Sequence, residues 1–289
     1  MIGKRKIWAA GLSALVALAA CSAPGGQERA AAPDRGPAEA RVALETVAAK
    51  LAETAFQFDG EVHWQSNGGG SQPAALFRGS ASSEAFYVRL SVTPEDGGFA
   101  DDMEFFARRD QVFLRFADEV DWHPAEADRA ATLQELAHWD PRAHFRRMAH
   151  LAGKIEWGSP ERFTAPVEGE TAFLQVVLDP TAMRAELAEK ASRRAPETPD
   201  GDAAVERLSA GSRVDDRSVD GDEALSGTYL IAYDRATGLP KRVEYVERAV
   251  YTEDGQRNDD TTRVVFTFRR FGTFTPPDLT GIPGAPAGR

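Results

Sequence analysis

The sequence is short of cysteine, of positive charge and of long apolar runs, and each shortage removes a class of function. One cysteine, Cys21, in 289 residues permits no intramolecular disulfide. The five histidines have no cysteine to join them in a zinc site, which needs about four converging ligands. His138, His144 and His150 recur every six residues, a spacing that turns the side chain by about 240° on a helix and spreads it over different faces. They are expected at the surface or at a groove edge, and His63 and His123 stand beside Trp64 and Trp122 at strand ends. No glycine-rich loop points to a nucleotide. Ser80, Ser82 and Ser83 lack the strand–turn–helix elbow of a serine hydrolase. The acid pairs Asp101-Asp102, Asp215-Asp216 and Asp259-Asp260 fall in expected turns and polar loops without calcium-loop spacing. The chain is therefore expected to be non-enzymatic, with no metal and no cofactor.

Lys and Arg number 34 against 45 Asp and Glu, for a net charge of -11. Such a protein is repelled by nucleic acid and by anionic headgroups. Arg108-Arg109 and Arg146-Arg147 are short basic pairs, too scattered for nucleic acid. Either solvent or an anionic headgroup at a groove mouth is their expected neighbour.

What is present begins at the first residue. In MIGKRKIWAAGLSALVALAAC, Lys4, Arg5 and Lys6 precede an uncharged run from Ile7 to Ala20. That run is shorter than the roughly 20 residues of a spanning helix and reads as a secretory signal. Leu18-Ala19-Ala20-Cys21 resembles the bacterial lipobox, which implies cleavage before Cys21 and acylation of that residue. Two or three acyl chains hold a protein stably on a membrane. Residues 1–20 are thus the expected lipoprotein signal peptide and 21–36 a flexible tether, rich in Ala, Pro and Gly. The expected location is the outer face of the cytoplasmic membrane, with the membrane itself as a partner through Cys21.

Residues 37–277 are expected to form one domain, followed by a flexible tail at 278–289. Pro37 opens a helix carrying Ala40, Leu44, Val47, Ala48 and Leu51 at helical spacing. From Phe56 the period becomes two: Phe56, Phe58, Val62 and Trp64 alternate with Gln57, Asp59, Glu61 and His63. Strands follow at Ala74 to Gly79, Ala85 to Val92, Asp102 to Arg108 and Gln111 to Phe116, the last two joined by the tight Arg109-Asp110 hairpin. Pro124 to Trp139 and a segment begun by Asp140-Pro141, carrying Phe145, Met148, Ala149 and Ala152 on one side, read as helices, Lys154 to Phe163 and Thr171 to Leu178 as strands. Only Gln175 interrupts the apolar run Phe173 to Leu178, which predicts a strand covered on both sides. Asp179-Pro180 starts another helix, and 193–226 is polar, with one or two short strands at most. Three strands close the chain: Thr228 to Asp234, Lys241 to Tyr251 and Thr261 to Phe271.

The fold class is therefore α+β, with about ten mostly antiparallel strands that curl strongly in one sheet. Helices cover its concave face and solvent wets the other. The lipobox, the tether, the run Ala55-Phe56-Gln57-Phe58-Asp59-Gly60 and the ending Gly227-Thr228-Tyr229-Leu230-Ile231-Ala232-Tyr233-Asp234 with Gly238-Leu239-Pro240 resemble actinobacterial lipoproteins of the LppX/LprAFG kind, and more distantly carriers of the LolA/LolB kind. That resemblance implies a half-open β-barrel with an apolar cavity that carries acylated molecules through the cell envelope. A lipid or glycolipid is then the expected cargo, with an envelope protein as a further partner. Phe56, Phe58, Val62, Trp64, Phe86, Val88, Phe105 and Phe173 are the expected cavity lining, since periodicity puts them on strand faces but does not tell a hollow core from a filled one. The alternative is an envelope sensor or protein-interaction domain with a closed core.

Replacing Cys21 with serine is expected to release the protein from the membrane fraction without unfolding it. Metabolic labelling with a radioactive fatty acid checks this, and label retained by the serine variant would remove the anchor.

Overall fold

The computed structural model describes residues 36–92, 101–109, 111–116, 119–124, 136–193, 224–253 and 255–277. The expected signal, most of the tether, the tail and the segment 194–223 lie outside the described residues. The described chain is α+β. Its strands are β1 (Phe56–Ser66), β2 (Gln72–Ala81), β3 (Ala85–Val92), β4 (Asp101–Arg108), β5 (Gln111–Phe116), β6 (His123–Pro124), β7 (Ala152–Trp157), β8 (Thr171–Leu178), β9 (Leu225–Asp234), β10 (Pro240–Glu253) and β11 (Gln256–Arg269). The helices are α1 (Pro37–Glu53), α2 (Pro141–Leu151) and α3 (Pro180–Arg193).

All eleven strands form one sheet in the order β6-β5-β4-β3-β2-β1-β11-β10-β9-β8-β7. Neighbours are antiparallel, and the two edge strands do not pair, so the sheet is not closed. Most neighbours are also consecutive in sequence. The exception is β1 against β11, which joins the two halves of the chain at mid-sheet.

One face of the sheet is apolar because alternate residues of each strand point there. Phe56, Phe58 and Val62 of β1, Ala75 and Phe77 of β2, Val88 and Leu90 of β3, Phe266 and Phe268 of β11, and Leu174 and Val176 of β8 belong to a single buried cluster. The helices supply its cover: Ala40, Leu44, Val47 and Leu51 of α1, Phe145, Met148 and Leu151 of α2, and Met183 and Leu187 of α3 join the same cluster. Both Asp-Pro pairs act as caps. Asp140 accepts from the Arg142 amide at 2.9 Å, and Asp179 from those of Thr181 and Ala182 at 2.7 and 2.9 Å.

At the centre, β1 and β2 exchange rings for hydrogens. Phe58 stands opposite Gly79, and Gly60 opposite Phe77. Each phenylalanine ring lies over the glycine facing it: a Cβ on Gly60 would meet Phe77 Cζ at 2.0 Å, and one on Gly79 would meet Phe58 Cζ at 2.3 Å. The glycine after the Phe-rich stretch is thus a seat for a ring on the next strand.

Four expectations are corrected. Pro124 lies in the short β6 rather than in a helix, while 125–135 lie outside the described residues. The strand expected to reach Phe163 ends at Trp157, and a 3₁₀ turn at Pro160–Arg162 carries the chain onto the outer face. Ala152 belongs to β7, since its extended backbone ends α2 at Leu151. The outer face is also not wet throughout. Phe163 and Val167 pack there on Phe173, Leu230 and Ala232, and Phe274 and Tyr87 pack on Phe106, Phe113 and Trp122. The connections return across the sheet and bury apolar residues that alternation had sent outward.

A methyl group at Gly79 meets both the Phe58 ring and the Tyr87 carbonyl oxygen, at 2.6 Å, and backbone cannot step aside as a side-chain tip can. Gly79→Ala is expected to destabilise the fold by about 1–3 kcal/mol, measured by denaturant unfolding. Gly70→Ala, with no atom within 4 Å of the new methyl, is the control and stays within about 0.5 kcal/mol.

Candidate functional site

The region between the apolar sheet face and the helices holds most of the residues that the sequence marks for a cavity. Phe56, Phe58, Val62, Phe86, Val88 and Phe105 come together in the main cluster. Phe58 is enclosed by rings: Phe56 at 5.9 Å, Phe77 at 6.1 Å, Phe86 stacked at 6.1 Å and Phe266 at 6.2 Å. Phe56 and Val88 are fully buried. Trp64 is half-buried farther along β1, beyond the bulge between Val62 and His63. Phe173 is a correction. It sits on the other face of β8, with its ring 5.5 Å from Phe163, because β8 is covered on both sides and alternation does not say which side meets the helices.

A polar group lies under α2 in the same layer. His144 Nε2 is 2.8 Å from the His138 carbonyl oxygen and Nδ1 is 2.9 Å from the Tyr229 hydroxyl. A carbonyl only accepts, so Nε2 carries the proton and Nδ1 accepts from Tyr229. His144 is thus buried and paired at both nitrogens, not at a groove edge as its spacing suggests. Beside it, Arg147 donates to Glu186 of α3 at 2.8 Å and to Glu247 of β10 at 3.4 Å, and its guanidinium lies 5.0 Å over the Tyr245 ring. Tyr245 stacks on Tyr229 at 4.3 Å and donates its hydroxyl to Glu247. Arg147 is therefore half-buried and already paired with two carboxylates rather than left free at a groove mouth. It ties two helices to the sheet.

The environment shifts two of these groups. Burial pushes the Tyr229 phenol up to about 12, only partly opposed by Arg147. Burial by itself lowers Arg147, but Tyr229, Glu247 and Glu186 more than offset it and hold the guanidinium firmly charged. A few positions along the same strands, Asp260 is buried and accepts from Ser66 at 2.6 Å and from Tyr251 at 2.9 Å. It lies in β11 rather than in a polar loop. Asp259 and Asp102 are also strand residues: hydrogen bonds from Arg248 and Arg89 respectively hold each carboxyl below its ordinary value. Asp215-Asp216 lies outside the described residues.

On the outer face charges alternate across strands. Asp59 accepts from Arg78 at 2.6 Å and pairs with Arg269 at 2.9 Å. Glu244, fully buried, accepts from Arg242 at 2.7 Å, Arg263 at 3.2 Å and the Thr164 amide and hydroxyl at 3.0 and 2.6 Å. These pairs complete one another and offer no open donor set for a ligand. Among the described residues no group of three or more His, Cys, Asp or Glu is arranged to hold a metal.

No protein-family model and no curated protein matches the sequence. Among solved structures, LprF from Mycobacterium bovis is similar at 12% identity and a TM-score of 0.40, over 84% of this chain and 98% of that one. A DUF1329 family protein from Desulfovibrio piger is similar at 8% identity and a TM-score of 0.27, over 82% and 93% of the two chains. A hypothetical protein from Chlamydia trachomatis follows at 10% identity and 0.26, over 82% and 96%. With TM-scores below 0.5, these likenesses have no bearing on what this chain binds.

Tyr229 keeps its proton to about pH 12 when folded but to about pH 10 when unfolded. The folded state then binds the extra proton between these values, so stability falls as pH rises through that window. Tyr87, also pushed up to about 12 by burial and then by Glu104, adds to the fall. Denaturant midpoints measured from pH 9 upward are expected to decline above about pH 10, with a shallower decline in Tyr229→Phe.

Proposed function

We propose that this chain is a membrane-anchored, extracytoplasmic lipid-binding protein that holds an acyl chain between the apolar sheet face and helices α1, α2 and α3. It carries or presents that cargo within the cell envelope and catalyses no reaction. One observation carries the reading: the apolar face of a large open sheet is roofed by three separate helices, bound to it mainly through side chains. Such a roof can lift while the sheet's backbone hydrogen bonds stay intact. In the closed arrangement the rings around Phe58 fill the layer, so cargo enters by displacing helices rather than by filling a standing void. Acyl burial is favourable by about 0.8 kcal/mol per methylene group, which gives a chain of ordinary length enough free energy to displace packed side chains. The anchor at Cys21 rests on the lipobox resemblance and would hold the domain at the outer face of the cytoplasmic membrane.

A second reading, an envelope protein-interaction domain with a permanently filled core, is favoured by the complete burial of Phe56 and Val88. Organic extraction of the purified domain followed by mass spectrometry separates the two. Near one acyl lipid per protein is expected, and Val62→Trp, which adds bulk to a filled layer, is expected to lose it at a cost in stability of about 1–3 kcal/mol. An empty extract together with a stable protein complex from cells would overturn the carrier.

A further inference from the structure

Trp139 stands apart from the satisfied polar groups around it. Its side chain is 3% exposed and belongs to the main apolar cluster. Its Nε1 is buried and has no hydrogen-bond partner among the described residues. A buried donor left without an acceptor has lost its hydrogen bond to water with no replacement, and native folds rarely keep one without a reason. The ring is held edge-on to Phe77, with centroids 5.2 Å apart and planes at 73°, and a contact of that kind recovers at most part of a hydrogen bond.

The indole is also firmly mounted. On its N-terminal side, the His138 carbonyl accepts from His144. On its C-terminal side, Asp140 caps α2 and pairs with Arg142, which reaches the Ser82 carbonyl. The Trp139 amide itself donates to the Leu136 carbonyl at 3.1 Å. Beneath it, Phe77 is fixed in the seat over Gly60 and lies 5.3 Å from Phe266. The groups named beside the indole are committed to partners of their own, and the buried ring nitrogen belongs to a cluster made up mostly of apolar side chains. That is the form of a pre-organised recognition point rather than of a loose side chain.

Resting on the lipid-binding reading, we infer that Trp139 Nε1 donates a hydrogen bond to a neutral acyl carbonyl, of an ester or an amide, in cargo held beneath the helices. An indole nitrogen only donates, so the ligand atom must accept. A hydrocarbon chain offers no such atom. A free fatty-acid carboxylate offers one, but its charge would be buried beside a single neutral donor and remain uncompensated. A neutral carbonyl meets the requirement, and its chain occupies the apolar layer. Trp139 thus selects acylated cargo over hydrocarbon and over free acid.

The test compares methyl hexadecanoate, hexadecanoate and nonadecane, the hydrocarbon with the ester's number of heavy atoms. Each is delivered from cyclodextrin and competes with a fluorescent acyl probe on the delipidated protein and on Trp139→Phe. The ratio of ester to hydrocarbon affinity is the quantity of interest, because lost ring packing weakens both ligands and cancels. The parent is expected to prefer the ester by roughly 3- to 10-fold, the worth of one net hydrogen bond, and Trp139→Phe to lose that preference or reverse it, since its ester carbonyl is buried without a donor. In ¹⁵N-tryptophan-labelled parent, the indole resonance that Trp139→Phe removes is expected to shift with ester and not with nonadecane. A parent that binds both ligands equally, or a variant that keeps the preference, would overturn the role of Trp139 and leave lipid binding standing. A parent that binds none of the three would overturn both.

Discussion

An antiparallel sheet that does not close has an apolar face that must be covered, and this constraint organises the whole chain. Eleven strands present that face, and no second sheet lies against it among the described residues. The cover is assembled from pieces distant in sequence: α1 ahead of the first strand, α2 in the interval between the two halves of the sheet, and α3 between β8 and β9. Each piece has a narrow apolar stripe that suits one layer of contact and no more. The core is consequently one cluster shared by sheet and helices, and no helix would be stable without the sheet beneath it.

Apolar contact alone is non-directional and does not fix where a helix sits. The Arg147 pairs with Glu186 and Glu247 and the His144 bonds to Tyr229 and His138 supply that direction, since each joins a particular residue of one element to a particular residue of another. Burying them brings little net stability, because desolvation opposes the attraction. Their effect is to make one seating of α2 and α3 better than its neighbours. Trp139, immediately ahead of α2, is positioned by the same bonds while contributing an unmatched donor of its own.

The outer face works by a different economy of contact. Its middle is a lattice of cross-strand ion pairs around Asp59, while its flanks are covered by the 158–170 segment and by the chain after β11. Thr275 is tied down there, its amide donating to Ser80 at 2.9 Å and its hydroxyl accepting from Gln57 at 2.7 Å.

Alternation and capping are local properties, so the sequence by itself determined most of the elements. The bounds of β3, β5 and β8, the tight connection after Arg108, the start of α1 at Pro37 and the two Asp-Pro caps all follow from neighbouring residues. It also determined that β8 is covered twice, because six nearly unbroken apolar residues leave no wet side. Tertiary structure alone decided which cover lies on which side, and so sent Phe173 to the outer face and Phe58 to the inner one. It alone buried His144 and Asp260 and half-buried Arg147, whose sequence neighbours carry no sign of Tyr229, Ser66 or Glu247. Those partners come from elements far along the chain, and a polar residue enters a core only when folding brings it a partner there. That the Trp139 indole has no partner among the described residues was hidden for the same reason: whether a donor is satisfied depends on what folds around it.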